Sequence, residues 1–144
     1  MAFKCVQGDS TSIPMYCGAS SSLVAGELSV FDVSTGAAVS PVIDSTASLL
    51  AENVAGVVLN TPAAADVYCD VIPIRGQVWD YDCTSTPTTA MLGKVNDLTN
   101  SATVANSTTI STANTGFVRN IAIVDSTNKI MRGFILGGFD AVAN

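Results

Sequence analysis

Four carboxylates, Asp66, Asp70, Asp80 and Asp82, lie near one another in the sequence and are the first candidates for acid–base chemistry of the glycosidase kind. They fall on the polar side of alternating stretches, where solvated acids are the ordinary outcome. Nucleophilic catalysis needs a base beside a serine or cysteine, and the chain has no histidine to recruit. The cysteines Cys5, Cys17, Cys69 and Cys83 include no Cys-x-x-Cys pair, which argues against zinc. Asp9, Asp97 and Asp125 sit in loop-like stretches, yet none belongs to an EF-hand run of alternating acids. Gly116 and Gly137-Gly138 lack a phosphate-cradling pattern and read as turns. Asn106-Ser107-Thr108 fits the glycosylation pattern, which means little without an export signal. The expectation is a protein that is not an enzyme and uses no metal or cofactor.

The elements that would carry these residues read as strands. From Asp66 to Cys83, Val67, Cys69 and Val71 alternate with Asp66, Tyr68 and Asp70. After Pro73-Ile74-Arg75-Gly76, Trp79, Tyr81 and Cys83 alternate with Val78, Asp80 and Asp82. Period-two patterning predicts half-buried strands. If the two runs form a hairpin, Cys69 lies roughly opposite Cys83, and Cys5 faces Cys17 across a loop near Asp9. Spacing does not choose between such disulfides and four small buried hydrophobes; a reducing cytoplasm favours the latter.

Further strands are expected at 3–6, 14–17, 27–33, 37–42 and 54–59, with Gly36 turning one hairpin and Gly56 marking a bulge or close approach. A short helical turn is possible at 45–52. Met91 to Val95 leads to an expected turn at 96–100, and then to a Ser/Thr/Asn-rich stretch, 101–115, with a strand at 102–104 and an exposed tip. Phe117 to Val124 and Ile130 to Leu136 form a hairpin, with Ile121 and Ile123 on one face opposed by Phe134 and Leu136. The fold class is therefore all-β: a small antiparallel β-barrel or β-sandwich with a short N-terminal arm and a C-terminal hairpin. One domain spans 1–144, divided into arm and loop (1–22), β core (23–136) and tail (137–144).

Charged residues make up only 12% of the 144 residues, against 48% hydrophobic. That is roughly half the usual charged share. Such a chain exposes apolar and hydroxyl surface, which favours extended protein contacts and an oligomer or lattice. A net charge of −6 with no adjacent basic residues disfavours nucleic acid. No apolar run approaches the roughly 20 residues of a membrane helix. The N-terminal stretch is unlike a signal peptide.

The order of pieces, Ala25-Gly26-Glu27-Leu28-Ser29-Val30, a Gly turn, Val54-Ala55-Gly56-Val57-Val58-Leu59, Val67 to Val71, then Ile72-Pro73-Ile74-Arg75-Gly76-Gln77-Val78-Trp79, resembles the small capsid decoration, or cement, proteins of tailed bacteriophages. Gly93-Lys94-Val95-Asn96-Asp97-Leu98 and the Phe117 to Leu136 hairpin continue the likeness over most of the chain. The cysteines and the Thr-rich loop form no part of it. The resemblance implies a structural virion protein, made in a bacterial cytoplasm, that binds the outer face of the expanded head as a homotrimer and staples major capsid protein subunits. A phage tail-tube or head-fibre component shares the composition, and a carbohydrate-binding jelly roll is the binding-module alternative. Candidate interface residues are Phe3, Lys4, Arg75, Trp79 and Phe139. An acidic chain also suits the outer face better than one beside packaged DNA.

Overall fold

The computed structural model describes residues 2–32, 42–44, 54–110 and 116–136. Its strands are β1 (Phe3–Gln7), β2 (Ile13–Tyr16), β3 (Leu28–Asp32), β4 (Val42–Asp44), β5 (Val54–Val58), β6 (Tyr68–Ile72), β7 (Val78–Asp82), β8 (Val95–Asn100), β9 (Thr103–Ala105), β10 (Val118–Asp125) and β11 (Ile130–Ile135). They form a six-stranded sheet, β1-β7-β11-β10-β8-β9, and a five-stranded sheet, β2-β6-β5-β3-β4, in which neighbouring strands pair antiparallel. The first sheet coils until β9 meets the end of β7 through a single Cys83–Val104 bridge, short of a closed barrel. The fold is a sandwich.

Between the sheets lies the main core. Trp79, Tyr81, Phe3, Met131 and Ile135 from the first sheet meet Leu28, Val30, Val54, Val57 and Ile72 from the second. Trp79 and Tyr81 alternate with half-exposed Val78, Asp80 and Asp82, as the sequence pattern requires. The second sheet is apolar on its other face as well. There Met15, Cys17, Leu23, Ala55, Val58, Cys69 and Val71 make a separate cluster. This explains the unbroken burial of β5, which has no solvent side.

Several expectations are corrected. The runs flanking Arg75-Gly76 are not a hairpin: β6 pairs with β2 and β5, while β7 pairs with β1 and β11. Residues 73–77 cross between the sheets, with Ile72 and Ile74 both buried in the core between them. Cys69 lies in β6 of the second sheet and Cys83 just past β7 of the first, Cys5 lies in β1 of the first sheet and Cys17 just past β2 of the second, and all four thiols are free. The N-terminal residues are not an arm, because β1 and β2 each complete one of the sheets. Residues 96–100 are strand β8 rather than a turn, since the Asn96 side chain is buried and holds the carbonyls of Ser107 and Thr109.

The C-terminal hairpin forms as expected, but a bulge between Asn120 and Ala122 places Ile121 outside. Ile123, opposite Met131, packs on the core, so the two isoleucines do not share a face. The bulge expected near Gly56 is present, and a Cβ there would collide with the Ile72 carbonyl. β3 and β4 pair about the expected hairpin, whose turn at Gly36 lies outside the described residues, as do the 45–52 helical turn and the 137–144 tail.

Candidate functional site

The four carboxylates first considered for chemistry do not converge. Asp66 and Asp70 belong to the second sheet's side, where the Asp66 carboxylate accepts from the Ala63 amide at 2.9 Å. Asp80 is on the first sheet, held in a two-point grip by Arg132, whose Nε and Nη2 donate at 2.7 and 3.1 Å. Asp80 in turn raises the affinity of the Arg132 guanidinium for its proton, chiefly through those hydrogen bonds. Among the described residues no three Cys, Asp or Glu side chains gather as metal ligands.

The sequence-nominated interface residues disperse. Phe3 is buried and packs against Tyr81, with ring centroids 5.9 Å apart. Trp79 is fully buried and offers no surface to a partner, because the alternation that made it conspicuous aims it into the core. Lys4 is exposed on the outer face, opposite Asp80. Phe139 lies outside the described residues.

Arg75 is engaged within the chain. Its Nη1 donates to the Thr11 carbonyl at 2.9 Å and stands 3.4 Å from the Asp9 carboxylate. The Thr11 hydrogen bonds, helped by Arg75, hold the Asp9 carboxyl below its usual range. Gln77, buried beneath, donates to the carbonyls of Asp9 and Pro73 and accepts from the Arg75 amide. These bonds clasp the 7–12 loop to the crossover between the sheets.

Where β1 meets β5 and β6, a cleft of about 360 Å³ is lined by Cys5, Ala25, Val57, Leu59, Ile72 and Trp79 among others. Cys5 is the only partly exposed thiol of the four. Burial raises the Cys5 thiol too, but pushes Cys69 up to about 11 and Cys83 up to about 12, and Cys17 is shielded by its own burial. In the native protein at pH 8, a maleimide is therefore expected to label Cys5 at least about tenfold faster than the other three. Mass spectrometry of the labelled chain checks this, and equal labelling of all four would contradict the burial described.

A feature without a sequence motif lies on β2 and β6. Tyr16 and Tyr68 stand opposite each other, rings edge-to-face at 5.8 Å, and are 42% and 60% exposed. In the same face, two residues along, Asp70 stands opposite Pro14, and the neighbouring Leu59 is 44% exposed. Tyr16 and Tyr68 are far apart in sequence, so only the pairing of edge strand β2 with β6 unites them. The arrangement offers aromatic and apolar contact around a carboxylate, which suits a protein surface better than a reaction.

No protein-family model, curated protein or solved structure matches the chain.

Proposed function

We propose that the protein is a structural component of a virion, which decorates the outer surface of a tailed-phage head and links major capsid protein subunits. The observation that carries this reading is large side chains with apolar surface left uncovered on a two-sheet scaffold, notably Tyr16, Tyr68 and Leu59, in a chain with few charges. A sandwich presents such residues at fixed positions, so that little order has to be created on binding. The resemblance to cement proteins supports the same reading.

Each contact need only be of ordinary size, on the order of 800 Å² per partner. A homotrimer that engages several subunits multiplies modest affinities through effective concentration. Because it binds only the assembled, expanded shell, the protein raises the free energy needed to take that shell apart. The virion exterior is its proposed location.

Sedimentation with expanded, undecorated tailed-phage capsids tests the reading, with light scattering of the protein alone beside it. Saturable co-sedimentation of a small oligomer is the expected result. Rings or tubes formed without capsids, or a monomer that ignores them, would overturn it.

A further inference from the structure

All six basic residues fall at Lys4 or from Arg75 onward: Lys94, Arg119, Lys129 and Arg132 complete the set. Between Cys5 and Ile74 there is no Lys or Arg, while Asp9, Glu27, Asp32, Asp44, Glu52, Asp66 and Asp70 all lie there. The strands of the five-stranded sheet are drawn wholly from this span, from Ile13 in β2 to Ile72 in β6. Sequence asymmetry thus becomes spatial asymmetry. The second sheet contributes only negative side chains, and the first carries both signs, as in its Asp80–Arg132 pair.

From this charge map and the exposed tyrosines we infer that the β2–β6 face is the docking surface, and that its partner is a protein surface presenting arginine or lysine beside apolar side chains. The inference rests on the proposed shell-binding function and deepens it by assigning the side that faces the shell. Tyr16, Tyr68 and Leu59 supply the apolar contact. Asp70 stands among them, with no ion-pair partner among the described residues. A guanidinium fits both parts of the site: its plane stacks on a tyrosine face while its forked donors reach a carboxylate.

Other occupants match less well. Phosphate backbones and anionic lipid headgroups carry the same sign as Asp66 and Asp70 and are repelled. Sugars favour flat aromatic platforms, whereas the Tyr16 and Tyr68 rings meet at 74°. A basic partner gains steering from the net charge of −6 as well as the local contact.

The test uses the full chain with Asp70→Lys, Tyr68→Ala and, as a control on the first sheet's outer face, Val124→Ser. The substituted side chains are exposed, and native folding of each variant is checked by the emission of Trp79, the only tryptophan. With expanded capsids, Asp70→Lys and Tyr68→Ala are expected to weaken binding by about tenfold or more, and Val124→Ser to leave it unchanged. Raising salt from about 0.05 to about 0.3 M should weaken the wild type more than Asp70→Lys. Unchanged binding by both β6 variants would overturn the assignment.

If the wild type ignores capsids, the shell reading fails and a synthetic peptide of alternating arginine and leucine tests the surface separately. Amide shifts confined to 13–16 and 66–70, lost in Asp70→Lys, would support a basic partner in another assembly. Shifts elsewhere, or none, would overturn the surface assignment.

Discussion

Gly133→Ala is expected to lower the unfolding free energy by about 3 kcal/mol, at the upper end for an overpacked site. Gly133 is a buried residue of β11, opposite Asn120 on β10 and Trp79 on β7. A Cβ there would run into the Arg119 carbonyl and the Tyr81 hydroxyl. The carbonyl belongs to the strand ladder and cannot turn aside as a flexible side chain would. Relief requires either separating β10 from β11 or displacing Tyr81 from its bond to Asn120. β11 lies inside the six-stranded sheet, so the disturbance spreads to both neighbours. Denaturant unfolding followed by Trp79 emission measures the loss. Gly76→Ala is the informative comparison, because nothing stands within 4 Å of its added Cβ and only the positive φ of 77° opposes it. A cost of about 1 kcal/mol is expected there. Equal effects at the two glycines would show that Gly133 is not closely packed.

Asn120→Ala should cost about 3 kcal/mol, through lost hydrogen bonds rather than overpacking. The fully buried Asn120 accepts from the Tyr81 hydroxyl at 2.8 Å and donates to Asn96 Oδ1 at 2.7 Å and the Met91 carbonyl at 3.2 Å. Asn96 passes the connection on to the carbonyls of Ser107 and Thr109. Truncation leaves the buried Tyr81 hydroxyl without its acceptor, removes one of two donors from Asn96 Oδ1 and from the Met91 carbonyl, and leaves a small void. Burial holds the Tyr81 phenol well above its usual range, so its hydroxyl remains a donor across accessible pH. A fall in Tm of roughly 6–12 °C follows for a domain of this size. Hydrogen exchange should also quicken at 105–110, the segment anchored through Asn96. A fall under about 2 °C would show that this network contributes little.

The strands were legible in the sequence, and their partners were less so. Alternation around Trp79 and Tyr81 placed β7 correctly, because a half-buried strand has one side for each environment. The same pattern did not reveal that residues 73–77 lead into the other sheet. That depends on Gln77 and Arg75 finding the distant Asp9 loop, a contact without a local signal. Asn96 was misread for a related reason. Asparagine favours turns, but here its amide is satisfied in the interior by groups that only the folded chain brings near. Ile121 and Ile123 were set on one face because a bulge adds a residue that simple alternation omits.

The candidate surface was half visible. The absence of Lys and Arg between Cys5 and Ile74 can be read directly from the sequence, and it becomes informative once the strands in that span form one sheet. The Tyr16–Tyr68 pair required the β2–β6 register, which joins an edge strand to a partner encoded far away. Trp79 carries two readings in the sequence, an anchor by residue type and a core residue by its place in the alternation, and its complete burial decides for the core.

Cryo-electron microscopy of expanded tailed-phage heads, before and after incubation with the protein, decides whether it binds the shell and by which side. Added density is expected on the outer surface, with Tyr16, Tyr68 and Asp70 of β2 and β6 against basic residues of the major capsid protein. Heads without added density after saturation, or molecules attached through the first sheet, would contradict it.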